Sequence, residues 1–415
     1  MSYVTMKNIL YNGQYGFRKG HSTYMAVMEM CDKITEARDN NLFSIGVFFD
    51  LSKAFDTVNH DILFKKLEHY GVRGICLDWL RDYLNGRRQC VLYNGQVSHI
   101  LDIKCGVPQG SILGPLLFLI YVNDISNTSP LLQFIMFADD TNVFMSNNSL
   151  TELVDKLNAE LEKVDKWFKA NKLSLNLEKT NYILFCSKHK KALNHDYKIS
   201  VNIDKQGITR VSSAKFLGVH IDELLCWKEH ITDISKKIAK NIGIISRIRH
   251  FLPRHILVNL YYSLIYPYLS YCNLTWASTY RSRLASLTTL QKRALRIICK
   301  APFRAHTKDL FLNLDILPFE CINKLQVGLF MYKCRMHLLP VGFGHWFRTN
   351  SEVHGYLTRS YKKSHQQSAR TNIRQHSVRI YGPMLWNSLP IELTVLPTIH
   401  QFKNRLKVYF MSNWV

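Results

Sequence analysis

Phe137-Ala138-Asp139-Asp140 sets two adjacent carboxylates between an apolar run, Leu131 to Met136, and a shorter one, Val143-Phe144-Met145. Apolar residues flanking a tight acidic pair predict strand, turn, strand. Like charges repel at such a tip, and Asn-Gly or Asp-Gly would turn the chain with less strain. A divalent cation offsets that repulsion, and carboxylate oxygens are the ligands Mg²⁺ prefers. The alternative at this point is a plain acidic turn.

Upstream, the β-prone run Ser44-Ile45-Gly46-Val47-Phe48-Phe49 ends on Asp50 and continues Leu51-Ser52-Lys53-Ala54-Phe55-Asp56-Thr57-Val58. A carboxylate ending a buried strand points to a site at the sheet's edge; its other reading is a helix N-cap. Between Asp50 and the acidic pair lies Gly106-Val107-Pro108-Gln109-Gly110-Ser111-Ile112-Leu113-Gly114-Pro115, a turn-rich loop running into the apolar stretch Leu116 to Val122. That stretch predicts a helix packed on the sheet.

In this order and spacing the three features resemble motifs A, B and C of reverse transcriptases, with wording similar to the non-LTR retrotransposon group and to Jockey-like elements especially. Gln14-Tyr15-Gly16-Phe17-Arg18-Lys19-Gly20-His21-Ser22-Thr23 is similar to the segment between fingers and palm, and Asn171-Lys172-Leu173-Ser174-Leu175-Asn176 with Lys179-Thr180 resembles motif D. Phe216-Leu217-Gly218 resembles the primer grip, and Tyr381-Gly382-Pro383-Met384-Leu385-Trp386-Asn387-Ser388-Leu389-Pro390 a C-terminal signature of these elements.

The resemblance implies an α+β, right-hand polymerase palm with partial fingers over 1–222, a helical thumb over 223–300, and a basic C-terminal region of unnamed fold over 301–415. It implies RNA-directed DNA polymerisation with two Mg²⁺ (or Mn²⁺) ions on Asp50, Asp139 and Asp140. Lys179 would protonate the departing pyrophosphate; its other reading is a surface lysine beside Glu178. Phe55 stands five residues after Asp50, where a ring excludes a ribose 2′-hydroxyl. Gly110 would let the backbone approach the nucleotide closely. Gln109 would contact it or else cap its own loop, and Arg18 would contribute a weak triphosphate contact. The implied partners are an RNA template, a DNA primer and dNTPs, in an intracellular setting (nucleus or cytoplasm). The alternative is a catalytically weak or inactive nucleic-acid-binding remnant, because an early fingers segment and an endonuclease domain are expected upstream and are absent from this sequence.

Composition fits. A chain of 415 residues has room for two or three structural units. Its ten cysteines show no zinc-knuckle spacing, and the apolar stretch around Ile112 to Val122 is too short to span a bilayer. Residues 1–240 hold 30 Lys+Arg against 26 Asp+Glu, whereas 241–415 hold 24 against 5, so the net charge of +23 lies mostly in the second half. Such depletion of acid points to a phosphate backbone as partner. Arg247, Arg249 and Arg254 precede Tyr261, Tyr262, Tyr266 and Tyr268; the rings read mainly as core and secondarily as base-stacking platforms.

Helical spacing covers 25–38, 59–70, 76–84 and 150–169, and recurs from Trp227 to about Lys300 (Ile231, Ile234, Ile238, Ile242, Ile245). Strands are predicted at 44–50, 89–94, 132–138, 142–146, 182–186 and 215–221. The Ser/His/Gln-rich stretch Ser360 to His376 reads as a mobile linker.

Overall fold

In the computed structural model the described residues are 2–187, 190, 199–354 and 360–414. They fall into two compact units, one formed by Met1–Ser22 and Asn41–Ala214, the other by Thr23–Asn40 and Lys215–Val415. The first is mixed α and β; the second, apart from one short hairpin at its start, is helical among the described residues.

The first unit is built on a five-stranded sheet. Its strands are β1 (Phe43–Phe49), β2 (Gln133–Phe137), β3 (Asp140–Asn147), β4 (Asn181–Phe185) and β5 (Thr209–Arg210), in spatial order β5-β4-β1-β3-β2. Only the β4–β5 pair is parallel. The central strand is buried along its whole length, which is why it reads as a continuous apolar run rather than an alternating one.

Period two still sorts its side chains. Phe43, Ile45, Val47 and Phe49 join the main core. On the other face Ser44 bonds Ser146 at 2.6 Å, and Phe48 meets the Phe144 ring edge-on. Gly46 lies under that ring, where a Cβ would sit 2.4 Å from it.

Helices His60–His69, Leu113–Val122 and Leu150–Ala170 complete the core. The middle one, LGPLLFLIYV, is apolar all round and buries every residue from Leu117 to Val122, as an enclosed helix must. The third lays Leu150, Leu153, Leu157, Leu161, Val164 and Phe168 on the sheet. Its N-cap is Ser149, whose side chain accepts from the Glu152 amide.

The strand expected at 89–94 is instead two short pieces, Arg88–Gln89 and Leu92–Tyr93, paired with Leu101–Asp102 and Gln96–Val97. Asn94 and Gly95, both at positive φ, make the turn between the inner pieces. All four pieces are exposed, so β-prone residues here gain no core burial to extend the ladder.

In the second unit, Lys228–Ile248 buries the predicted isoleucine stripe and packs on Arg281–Ile298. Gln291, fully buried, donates to the Tyr261 hydroxyl and the Leu317 carbonyl, each at 2.8 Å, and accepts from the Phe319 amide. Tyr261 is therefore core, whereas Tyr262 is 39% exposed. Residues 301 onward continue the helical pattern, with Phe319–Arg335 against Val378–Ser388 and Ile399–Ser412.

Two readings from sequence change here. The helix Thr23–Asp39 joins the second unit rather than the N-terminal one. The stretch Ser360–His376 is packed, not a linker. Ser364 exchanges both backbone bonds with the Asn387 amide (3.0 and 2.9 Å), Asp39 accepts from the Arg370 and Thr371 amides, and Arg374 is buried on Asp32. Ser364 and Arg374 are buried, while Lys362, Lys363, Gln366, Gln367 and Ser368 stay exposed. Among the described residues, no helix is long and apolar enough to cross a membrane.

Candidate active site

The β1–β3 register pairs Phe49 with Thr141; one further step brings Asp50 opposite Asp140. Continuing the alternation puts both on the face away from the helical core. The β2–β3 hairpin closes with Phe137 paired to Asp140, leaving Ala138 and Asp139 as a two-residue loop. Three carboxylates thus lie at the same end of the sheet, on and beside neighbouring strands. Desolvation in the turn, then the charges of Asp139 and Asp50, push the Asp140 carboxyl up to about 6. Its outer edge stays exposed, so solvent screens part of that repulsion.

Backbone bonds fix the Asp50 end. The Asn176 amide donates to the Asp50 carbonyl at 2.8 Å, and the Asp50 amide donates to Thr180 Oγ1 at 3.3 Å. Thr180, fully buried, in turn donates to the Asn176 carbonyl at 2.8 Å. Ser52 bonds the Ser174 carbonyl, and Leu51 bridges Leu175. The chain after β1 is therefore sewn to 174–180, and Asp50 is no helix N-cap. Among the described residues, no side-chain donor bonds the carboxylates of Asp50, Asp139 or Asp140, so their oxygens remain open to a cation.

Phe55 stacks on Phe118 at 4.2 Å and 24° and meets Phe17 edge-on at 6.4 Å. It is half-buried, a ring with one side on the core and another toward the loop. That loop is tied to it: the Val107 amide donates to the Phe55 carbonyl and the Gly106 amide to the Val58 carbonyl, each at 2.8 Å. Gln109 donates to Asp56 Oδ1 at 2.8 Å, a bond that ties its loop to the segment after Asp50. At Gly110 nothing lies within 4 Å of where a Cβ would be, and its φ of +79° favours glycine. The crowded glycine is Gly106, whose Cβ would sit 2.7 Å from the Asp56 carbonyl oxygen. A cleft of about 680 Å³ opens beside this loop, with Lys53, Arg87, Arg88 and Lys104 among its walls.

Residues 1–221 match the family model for "Reverse transcriptase (RNA-dependent DNA polymerase)", more than half of the chain. The chain belongs to the reverse transcriptase family. Its relatives are of the non-LTR retrotransposon kind. It is 27% identical over 337 residues to the RNA-directed DNA polymerase from mobile element jockey of Drosophila melanogaster, covering 79% of this chain and 36% of that protein. It is 28% identical over 338 residues to the probable RNA-directed DNA polymerase from transposon BS of the same species, again 36% of that protein. The chain thus spans about a third of the length of these relatives. Among solved structures, telomerase from Candida albicans in complex with a telomeric RNA fragment matches 76% of this chain and 56% of its own at TM-score 0.37 and 12% identity. That likeness is too loose to carry chemistry.

For a reverse transcriptase the donor set fits hard divalent ions, which take oxygen ligands and complete their shell with water and substrate phosphates. No group of three or more His, Cys, Asp or Glu side chains among the described residues is already gathered to hold a metal ion.

The remaining predicted residues divide. Lys179 is exposed on the turn whose Asn176 and Thr180 hold Asp50. Arg18 is engaged in structure: Nη1 donates to the carbonyls of Tyr11 at 2.7 Å and Gln14 at 2.9 Å, and burial lowers its pKa. Leu217 and Gly218, at φ 46° and 81°, form the tight turn after Phe216, and Tyr271 donates to the Leu217 carbonyl at 2.7 Å. This hairpin lies at the start of the second unit. Sequence reasoning gave no role to Gln14, whose side-chain amide bonds Ala138. A lone glutamine carries no periodic or spacing signal.

Proposed function

We propose that this chain performs RNA-templated addition of deoxynucleotides to a DNA primer, with its first unit acting as a palm and partial fingers and Lys228–Ile298 as a thumb. The placement of Asp50, Asp139 and Asp140 at the same end of neighbouring strands carries the reading. Held by these oxygens, two Mg²⁺ (or Mn²⁺) ions would supply a lowered pKa for the primer 3′-hydroxyl and neutralise charge on the pyrophosphate. Asp50 and Asp139 hold this charge at fixed backbone positions, and Asp140 adds to the field from the exposed side. As the 3′-oxygen bonds the α-phosphorus and the bond to pyrophosphate breaks, Lys179, exposed on the turn that holds Asp50, would give the leaving group a proton. Phe216, Leu217 and Gly218 support the primer terminus.

The sugar rests against Phe55. Backed by Phe118, the ring cannot withdraw to admit a 2′-hydroxyl and offers it no partner, and an unpaired buried hydroxyl is costly. Replacing Phe55 by Val raises ribonucleotide use relative to deoxynucleotides by about 10- to 100-fold, the scale of steric pocket discrimination. Competing rNTPs against dNTPs in primer extension reads the ratio directly. An unchanged ratio would make Phe55 core alone.

The basic second half supplies the grip. Binding of template–primer falls with salt at about −0.9 in log–log slope per phosphate neutralised on duplex. Arg293, Lys300 and Arg304 are exposed, so their joint replacement by Gln flattens that slope and leaves the melting temperature unmoved. A slope identical to the parent's places the contacts elsewhere.

A further inference from the structure

The loop that carries Asp139 is held in a conformation its own residue disfavours. Ala138 has φ +57°, where a Cβ crowds the following carbonyl and glycine is the usual occupant. Its neighbour Gln14 is 1% exposed. Gln14 Oε1 accepts from the Ala138 amide at 2.9 Å and the Gly16 amide at 2.8 Å, while Nε2 donates to the Ala138 carbonyl at 3.3 Å. Both backbone polar groups of Ala138 are therefore read by one side chain. The amide's orientation follows from the network, because only the oxygen can accept from two N–H groups.

The clamp is itself anchored. Gly13 and Tyr15 bond Met136 of β2 on either side, each at 2.8 Å, and Arg18 Nη1 grips the Gln14 carbonyl at 2.9 Å. Gly16 must lack a side chain: a Cβ would stand 2.3 Å from the Ala138 nitrogen.

We infer that Gln14 is a positioning residue for the catalytic turn, holding Ala138 in its left-handed conformation and so fixing where the Asp139 carboxylate stands relative to Asp50 and Asp140. A glycine at 138 would reach the same φ unaided but in a looser loop. Alanine with an external clamp gives one conformation, which preorganisation requires. The kinetic arm below rests on the polymerase reading; the other two arms do not.

The test is a cycle of Gln14→Leu and Ala138→Gly in the full chain. Amide hydrogen exchange, read without metal or substrate, loses protection at Ala138 and Gly16 in Gln14→Leu while Ile45 and Val143 stay protected. Mn²⁺ titrated alone binds more weakly to Gln14→Leu than to the parent, and Ala138→Gly restores part of the loss. In primer extension, Gln14→Leu lowers kcat about a hundredfold, the cost of roughly 1 Å of misplacement, with template–primer Kd little changed. In the Ala138→Gly background the same substitution costs under about tenfold. Unchanged exchange at Ala138 with unchanged Mn²⁺ binding overturns the inference, as does an equal kcat loss in both backgrounds. A parent chain that extends no primer counts against the polymerase reading alone, and the exchange and Mn²⁺ arms still decide the clamp.

Discussion

Asp139→Asn abolishes templated primer extension, a loss of at least about a thousandfold or roughly 4 kcal/mol of barrier, while template–primer affinity holds within about twofold. The size follows from what the residue does. Phosphoryl-type transfer leaves the protein little covalent work, so positioning and charge compensation supply nearly all the acceleration. Asparagine keeps the shape of the Ala138–Asp139 loop but removes the negative charge on which the cations would be held. Asp50→Asn gives the same result, since its backbone bonds to Asn176 and Thr180 do not depend on the carboxylate. Asp140→Asn is milder, because that carboxyl lies on the exposed side and is already pushed up to about 6. Single-turnover extension on poly(rA)/oligo(dT), alongside a binding isotherm, separates chemistry from grip. Extension by Asp139→Asn at the parent's rate would sink the metal assignment.

That the strand ends carrying the three aspartates were legible in sequence has a local cause. Asp50 follows one β-prone run, Asp140 begins another and Asp139 lies in the turn before it, so period and turn chemistry place them without knowledge of partners. The same holds for the helix Leu150–Ala170, with an N-capping Ser149 and a clean apolar stripe. What stayed hidden is long-range. Gln14 lies 124 residues from the turn it clamps, and nothing in its neighbours marks it. The helix Thr23–Asp39 was visible as a helix, but its partners were not, because periodicity names a buried face and not what buries it. Ser360–His376 misled for a related reason: a polar composition does not show which of its residues, here Ser364 and Arg374, find buried partners elsewhere in the chain.

Arg374→Met destabilises the second unit by about 3–5 kcal/mol, the cost of stranding one member of a buried ion pair. Asp32 is 6% exposed and Arg374 5%. Arg374 Nη1 donates to the Asp32 carboxylate, to the Asp32 carbonyl at 3.0 Å and to Thr35 Oγ1 at 3.1 Å. Arg379 donates to the other carboxylate oxygen at 2.9 Å and lies over the Trp346 ring. The network ties the Thr23–Asp39 helix to a stretch 342 residues further on, a closure that local propensity cannot supply. With Arg374 gone, Arg379 alone must balance Asp32, and Thr35 Oγ1 loses its guanidinium donor while still donating to the Asp32 carbonyl at 2.9 Å. The expected fall in melting temperature is on the order of 10 °C, read by calorimetry together with faster amide exchange across residues 23–40. Asp32→Leu is similarly harmful because it strands two guanidinium groups. The double variant Asp32→Leu/Arg374→Met recovers part of the loss, since fewer buried charges are left unmatched. A single Arg374→Met within about 1 kcal/mol of the parent would mean that water already reaches this pair and that the 23–40 segment is held by its apolar face alone.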